Sequence, residues 1–594
     1  MNPTIKATIE TWLSQCPFDH LKQEIIDLQN DNNEKELVDR FYKEIEFGTG
    51  GMRAVMAAGL NRINEEVVGK TTQGLANYIL SQGGDEYAKR GLAIAHDSRL
   101  NHKIYLQEIA SVLAGNNIKV YFFDRVRPTP LLSYALRKLK AVSGIVITAS
   151  HNTSEYNGYK VYWDDGGQIV PPHDKNIIDE VRKVKSYNDV KRMDFLEGIE
   201  NGLIQTISDD IVESYYNELE DLIINKDVIR KHGDQLKIIY TPLHGASGET
   251  VMGMFKKLGF SQAQEVKSQF QPDGSFPTVA SPNPEERSAL KLALEQAQKE
   301  DADLLFANDP DGDRMAVGAK NSNGEWELLN GNQVGSIMAW YILDQLKQQN
   351  KLPSNGALIK TIVTTELQSE IAKKYQVTIF NTLTGFKFIG ALIRKFELEA
   401  EQNKDTYQYI FGGEESYGYL PHPIVRDKDG VMALGLAAEI AAYAKETNKT
   451  LVDLLNDIYC EFGLFQEDLI SITLKGKDGI EKMNEIMNAL RNSPPLAFDN
   501  ANVIEIKDYQ ESVVKNIEGK TTGTIDLAKS NVLEFNLEDS TRITARPSGT
   551  EPKIKFYFSV RSKTSPESLS EDIQTLKDKL VRLKSEFEKT VESI

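Results

Sequence analysis

The sequence predicts an α/β protein of four parts: three similar α/β domains with mixed sheets, then a C-terminal α+β domain. Three observations carry that expectation. The 594 residues are too many for one hydrophobic core, and about 150 residues per domain gives roughly four units. A loose internal repeat occurs three times, as two short apolar runs followed by a third that ends in a polar, glycine-bearing loop. After about Leu464 the pattern changes to β-alternation and closes on one long amphipathic helix.

The first set of runs is LAIAHD (92–97), IKVYFFD (118–124) and GIVITASHN (144–152). The second is LKIIYTPLHG (236–245), a weaker AQEVKSQF (263–270) and ADLLFANDPDGDR (302–314). The third is ALIKTIVTTE (357–366), VTIFNTLTGFKF (377–388) and YQYIFGGEESYGY (407–419). Helical patterns such as NQVGSIMAWYILDQLKQQ (332–349) lie between the runs. Strands alternating with helices mean parallel or mixed sheets. The expected domains are 1–205, 206–327, 328–463 and 464–594, with the last boundary close to KGKDG at 475–479. In the tail, 565–594 reads as a helix with Ser565 as cap and Pro566 at its first position,. Its stripe of Ile573, Leu576, Leu580, Leu583 and Phe587 is expected to pack on the tail's own strands rather than form a coiled coil,.

Composition narrows the function classes. With 40% hydrophobic and 26% charged residues the chain is ordinary globular protein,. Two distant cysteines, Cys16 and Cys460, have no metal-ligand spacing and fit a reducing compartment,. MNPTIKATIETWLSQC lacks the charged-then-apolar pattern of a signal peptide, so the expected location is cytoplasmic,. The most apolar stretch, VMALGLAAEIAAYA (431–444), is too short for a membrane span, contains Glu439, and reads as a buried helix,. A net charge of −18 argues against nucleic-acid binding, which needs a basic footprint,. An anionic substrate would therefore need positive charge concentrated locally.

The loops carry the chemistry. In ITASHNTSEYNGYK (147–160) a buried run ends on Ser150 beside His151, with Lys160 following. Carboxyl ends of strands are where α/β proteins place their chemistry, although Thr148, Ser150 and Asn152 could simply satisfy loop backbone groups. NDPDGDR (308–314) sets Asp309, Asp311 and Asp313 at alternate positions. Such crowded carboxylates call for a divalent cation, Mg²⁺ or Ca²⁺. An EF-hand fails because Arg314 and Lys320 stand where its glycine and glutamate belong. GGEESYGY (412–419) offers Glu414, Glu415 and Ser416 to vicinal hydroxyls. RPSGTEPK (546–553) gathers Arg546, Ser548, Gly549, Thr550 and Lys553 into an oxyanion cradle,. FGTGGMR (47–53) is no dinucleotide fingerprint, since Arg53 takes the last glycine position, and VGKTT (68–72) lacks the earlier glycine of a P-loop,.

TASHN with the following GYK, then DPDGDR, TGFK (384–387), GEESYG and RPSGTEPK stand in the order found in the α-D-phosphohexomutases. FGTGGMR and RDKDG (426–430) resemble the phosphoglucomutase branch, in its longer, phosphoglucomutase-2-like form. The resemblance implies four domains around a central cleft and interconversion of glucose 1-phosphate and glucose 6-phosphate. Related readings are a phosphopentomutase, a phosphomannomutase, a sugar-bisphosphate synthase, or a non-catalytic phosphosugar-binding protein. It further implies that Ser150 carries a phosphoryl group and completes the Mg²⁺ site of Asp309, Asp311 and Asp313. The sugar phosphate would dock on the Arg546 loop and on Glu414 and Ser416, with glucose 1,6-bisphosphate as intermediate. Arg53, Arg314, Lys387 and Lys428 would supply charge, Thr384 would adjoin the sugar, and His151 or Lys160 would move the proton. Sugar phosphates are the only partners implied, with the oligomeric state, monomer or dimer, left open. One departure stands out: Thr153 occupies the place of the family's usual proline and is expected to loosen that loop.

Overall fold

The computed structural model describes all residues except 46, 48–49, 474–475 and 549–552, with the side chains of 476–478 and 480 also outside the description. Four sheets follow one another along the chain. In the first, Leu92–His96 lies parallel to Val120–Phe122 on one side and to Ser143–Ile147 on the other. The chain then reverses, so that Tyr156–Trp163 runs antiparallel to Ser143–Ile147. In the second sheet, Ile238–Thr241 is flanked in parallel by Ala263–Glu265 and Leu304–Asn308, and Met315–Lys320 returns antiparallel. In the third, Gly356–Thr361 is flanked by Thr378–Thr382 and Gln408–Glu414, and Gly418–Leu420 returns.

The repeat in the sequence is therefore a repeat of topology. Each unit orders its strands second, first, third, fourth, and each chemical loop is the reversal between third and fourth. The third strands in the first two units, SGIVI and LLFAN, are buried at every position, which is why they read as unbroken apolar runs rather than alternations. The faces of the first sheet nevertheless separate cleanly. Leu92, Ile94, Ile145 and Ile147 enter that unit's own core. Ala93, Ala95 and Val146 join a core continuous with the following units.

The weak run 263–270 divides into the short strand Ala263–Glu265 and the helical turn Lys267–Phe270. The apolar stretch near 431–444 is the buried helix Gly430–Glu446, and no helix among the described residues is long and apolar enough to cross a membrane. Both cysteines are free. Three helices, Pro3–Gln15, Asp19–Asn30 and Glu34–Phe41, form an N-terminal layer around Ile9, Trp12, Leu21, Ile25 and Phe41.

The last sheet is antiparallel throughout. It begins with Leu464–Thr473, which pairs along its length with Lys553–Ser562. The terminal helix is Leu569–Glu592 with Ser568 at its N-cap, three residues beyond the cap expected at Ser565. Ser565 and Ser568 are instead joined through the Ser565 N–H and the Ser568 hydroxyl, and that turn delays the helix. Leu576, Leu580, Leu583 and Phe587 are buried with Ile573 beside them. The Phe587 ring packs against those of Phe498, Phe556 and Phe558, so the stripe belongs to its own domain. Phe587→Ala would cost about 3–5 kcal/mol by the usual cost of emptying such a site.

Candidate active site

The reversal after Ser143–Ile147 brings Ser150 to the metal-type loop of the next unit. Ser150 is 2% exposed and its Oγ donates a hydrogen bond to Asp309 Oδ2 at 2.7 Å. His151 Nδ1 lies 3.3 Å from the same Oγ. Ser150 has φ 52°, a left-handed conformation that costs a side-chain-bearing residue free energy. Its N–H donates to Thr148 Oγ1, and that hydroxyl donates to Asp97 Oδ2. Burial pushes the Asp97 carboxyl up to about 6.

Asp309, Asp311 and Asp313 are buried together, and their carboxylate oxygens lie within 4.8 Å of one another. Lys160 Nζ reaches Asp311 Oδ2 at 2.6 Å and Asp313 Oδ2 at 3.2 Å. Lys428 Nζ adds a second cation 3.1 Å from Asp313. The Arg314 N–H donates to Asp309 Oδ1, while its guanidinium pairs with Glu285. Burial and the neighbouring Asp311 and Asp313 push Asp309 well above the usual carboxylate range. Burial alone would raise Asp313 too, but Lys160, Lys428 and Arg314 outweigh it and hold that carboxyl well below the range. Burial likewise holds the His151 imidazole well below its ordinary value, with Arg314 and Arg53 contributing.

Two oxygens decide whether the cluster suits a cation. Asp311 Oδ1 and Asp313 Oδ1 are buried without a hydrogen-bond partner. An unpaired buried carboxylate oxygen is expensive, and three hard oxygen ligands suit Mg²⁺, which retains water or substrate in its remaining positions. The residues fit.

The third unit closes on the same point. Lys428 also binds Asp427 Oδ1 at 3.0 Å. A Cβ on Gly430 would meet the Gly312 carbonyl at 2.5 Å, so only glycine lets this helix start approach the aspartate loop. Glu414 Oε1 accepts the Gly385 N–H at 2.9 Å, which ties the GEES turn to TGFK. Thr384 is half-buried just before it. Lys387 is buried, with Nζ 3.9 Å from Asp174. Glu415 Oε2 faces the hydroxyls of Thr361 and Thr364. Arg53 Nη1 donates to Asn152 Oδ1 at 2.9 Å, on the strand Gly51–Val55 that borders Tyr156–Trp163.

A cavity of about 350 Å³ lies between the third and fourth units, with Glu415, Ser416, Lys555 and Tyr557 in its wall. Arg546 is directly opposite Lys555 on the neighbouring strand and donates to the Tyr557 hydroxyl at 3.4 Å. The Ser548 N–H donates to the Lys553 carbonyl. Gly549 and Thr550 lie outside the described residues.

Three participants escaped the sequence reading. Lys555 sits two residues past the cradle motif, on the face that Arg546 shares. Glu285 is the partner of Arg314. Arg99, in HDSR (96–99), donates to the Thr153 carbonyl at 2.8 Å, and that carbonyl also accepts the Tyr156 N–H. The loop expected to be loose at Thr153 is tethered there.

Four units in this order meet at a serine–aspartate junction flanked by Lys160, Lys428 and Arg314. The chain belongs to the phosphoglucomutase/phosphomannomutase family: alpha/beta/alpha domains I, II and III match residues 44–188, 213–324 and 330–462, and the C-terminal domain matches 469–576. It is 36% identical over 553 residues to a phosphoglucomutase of Staphylococcus aureus, covering 93% of this chain and 95% of that one. Against the phosphoglucomutase of Staphylococcus saprophyticus the identity is 34% over 534 residues, covering 90% and 94%. Among solved structures, the open form of parafusin, a phosphoglucomutase from Paramecium, superposes with a TM-score of 0.64 at 18% identity, covering 90% of this chain and 95% of that one.

Proposed function

We propose that this protein interconverts glucose 1-phosphate and glucose 6-phosphate by way of a phosphorylated Ser150. The observation that carries the reading is the 2.7 Å contact between Ser150 Oγ and Asp309, which joins loops from two units at one cation-compatible cluster. The four units, 1–205, 206–327, 328–463 and 464–594, each supply one loop. Asp309, Asp311, Asp313 and the Ser150 phosphoryl oxygen would hold Mg²⁺. Bound there, the ion would neutralise charge on the transferring phosphoryl group.

The remaining roles fall to the chain itself. Arg53, Arg314, Lys387 and Lys428 balance phosphate charge. Glu414, steadied by the Gly385 N–H, and Ser416 accept the sugar hydroxyls, with Thr384 adjoining the sugar. Arg546, Ser548, Gly549, Thr550 and Lys553 seat the phosphate that is not reacting. His151 and Lys160 are the two groups placed to hold the hydroxyl proton, one beside Ser150 Oγ and the other on Asp311. After the first transfer the sugar carries two phosphates as glucose 1,6-bisphosphate. It must turn end over end before the second phosphate returns to Ser150, since one serine serves both ends. Free cysteines support a cytoplasmic location,.

A coupled assay of glucose 1-phosphate to glucose 6-phosphate, primed with glucose 1,6-bisphosphate, tests the activity. Ser150→Ala should abolish turnover and remove one phosphate from the intact mass. Full activity in that variant would end the proposal.

A further inference from the structure

We infer that Arg99 is a positioning residue for the phosphoryl transfer at Ser150, an inference that rests on the reading of Ser150 above. The guanidinium is fully buried; its two terminal nitrogens are spent on backbone, and its Nε lies 3.4 Å from Asp97 Oδ2. It donates to the carbonyls of Ser150 at 2.6 Å, Thr153 at 2.8 Å and Tyr156 at 2.8 Å, and also to that of Asn152. One side chain thus binds four carbonyls across seven residues of the serine loop. A planar, five-donor fork is suited to this; a lysine ammonium is not.

The same short segment holds Ser150 from its other side. Asp97 Oδ1 accepts the Arg99 N–H at 2.9 Å. Asp97 Oδ2 accepts the Thr148 hydroxyl, which in turn accepts the Ser150 N–H. Both peptide groups of Ser150 are therefore fixed by the Asp97–Arg99 turn, one through Thr148 and one directly. That hold maintains the left-handed φ of 52° and points Oγ at Asp309. Parallel pairing of Leu92–His96 with Ser143–Ile147 places the two strand ends side by side, which makes the arrangement possible.

The next unit seals the clasp. The Phe276 ring lies 5.1 Å from the Arg99 guanidinium carbon. A Cβ on Gly274 would meet the Leu100 nitrogen at 2.5 Å and the Ser98 oxygen at 2.6 Å, so that chain runs directly over the turn. The Ser281 hydroxyl reaches the His151 carbonyl at 3.4 Å. With its terminal nitrogens on carbonyls and its Nε beside Asp97, Arg99 acts on the reaction through the placement of Ser150 rather than by touching the sugar phosphate. Loss of the clasp should therefore lower kcat and leave KM nearly unchanged.

The test compares wild type, Arg99→Lys and Arg99→Ala in the full chain with Mg²⁺. Quenched intact-mass measurements follow phosphate transfer from glucose 1,6-bisphosphate to Ser150, steady-state assays separate kcat from KM, and circular dichroism reports folding. A misplaced reacting oxygen costs about a hundredfold in rate, so transfer and kcat should fall by about that much in Arg99→Ala, with KM close to wild type. Added guanidinium ion at low concentration should restore part of the loss in Arg99→Ala, whereas ammonium at equal ionic strength should not. Should Arg99→Ala fail to fold, Arg99→Lys carries the same kcat-against-KM test. Wild-type transfer rates in a folded variant, a loss confined to KM, or no selectivity for guanidinium would each overturn the inference. Wild type that takes no phosphate on Ser150 would instead remove the function on which it rests.

Discussion

Truncating Arg546 tests whether the fourth unit holds the non-reacting phosphate. Arg546 and Lys555 face one another across an antiparallel pair, so both side chains project to the same side of the sheet,. Burial pushes the Lys555 amine below its ordinary value, with Glu285 and Glu415 only partly restoring it. Two cations so placed repel one another, and an anion between them removes the penalty. A charge-assisted hydrogen bond is worth about 1.5–3 kcal/mol. At a factor of ten per 1.4 kcal/mol, Arg546→Ala should weaken sugar-phosphate binding by roughly 10- to 150-fold. Lys555→Ala should act in the same direction, and the double variant should lose less than the sum because both groups share one ligand. The assays are KM for glucose 1-phosphate and calorimetric affinity for glucose 6-phosphate, with Mg²⁺ affinity as a control expected to stay constant. A KM near wild type in Arg546→Ala, or a loss confined to kcat, would refute the clamp.

Chelation should stop turnover and Mg²⁺ should restore it; activity persisting in metal-free protein would contradict the aspartate cluster's role. Glu414→Ala frees the Gly385 N–H and should flatten the ranking among glucose, mannose and ribose 1-phosphates, so unchanged relative rates would place sugar choice elsewhere. Glu439, in the buried helix, accepts hydrogen bonds from Tyr341 and the Asn225 N–H, and burial pushes its carboxyl from 4.5 up to about 7. Its folded pKa exceeds its unfolded one, so its contribution is complete below about pH 4.5 and fades as pH rises through about 7. Wild type should therefore lose melting temperature relative to Glu439→Gln between those limits, and a constant gap would show that folding does not raise the carboxyl's pKa.

The strand-end loops were legible because an apolar run followed by a polar, glycine-bearing turn leaves a direct trace in sequence. Asp309, Asp311 and Asp313 alternate within five residues, and Arg546 to Lys553 form one compact string. Arg99 left no such trace. It lies 51 residues from Ser150, and only the parallel pairing of their two strands makes them neighbours. Lys555 was readable in principle, because alternate residues on a strand share a face and Lys553, Lys555 and Tyr557 follow that period. Glu285 was not, since it reaches Arg314 from an irregular segment without periodicity. The helix start at Ser568 rather than Ser565 left no trace in sequence, because both are serines, and Ser568 makes no side-chain cap hydrogen bond but donates its hydroxyl to Asp572.

The contacts also show where movement can reside. The aspartate loop is gripped from both sides, by Ser150 and Lys160 from the first unit and by Lys428 from the third. The second unit is held further by the Tyr417 carbonyl, which accepts the Met315 N–H. Such a knot resists rearrangement, because opening it would expose buried charges. The fourth unit meets the third through an ionic patch, in which Arg542 binds Glu366 and the Thr364 carbonyl beside the buried Lys360, and through an apolar cluster that joins Ile362, Val363 and Leu383 to Tyr509, Val532 and Tyr557. A sugar bisphosphate that must reverse over a fixed serine needs one phosphate seat that can release, and the seat away from the serine is the one that can do so without moving the reacting group. Charge balance supports the same division. Three aspartates face Lys160, Lys428 and Arg314, and Asp427 and Glu285 add negative charge beside Lys428 and Arg314, so the knot has no positive charge to spare on its own. A divalent cation and a phosphoserine of about −1.5 to −2 then enter as a nearly compensating pair. Arg546 and Lys555 remain for the substrate's other phosphate, and such local concentration of cations is how a chain of net charge −18 can bind an anion.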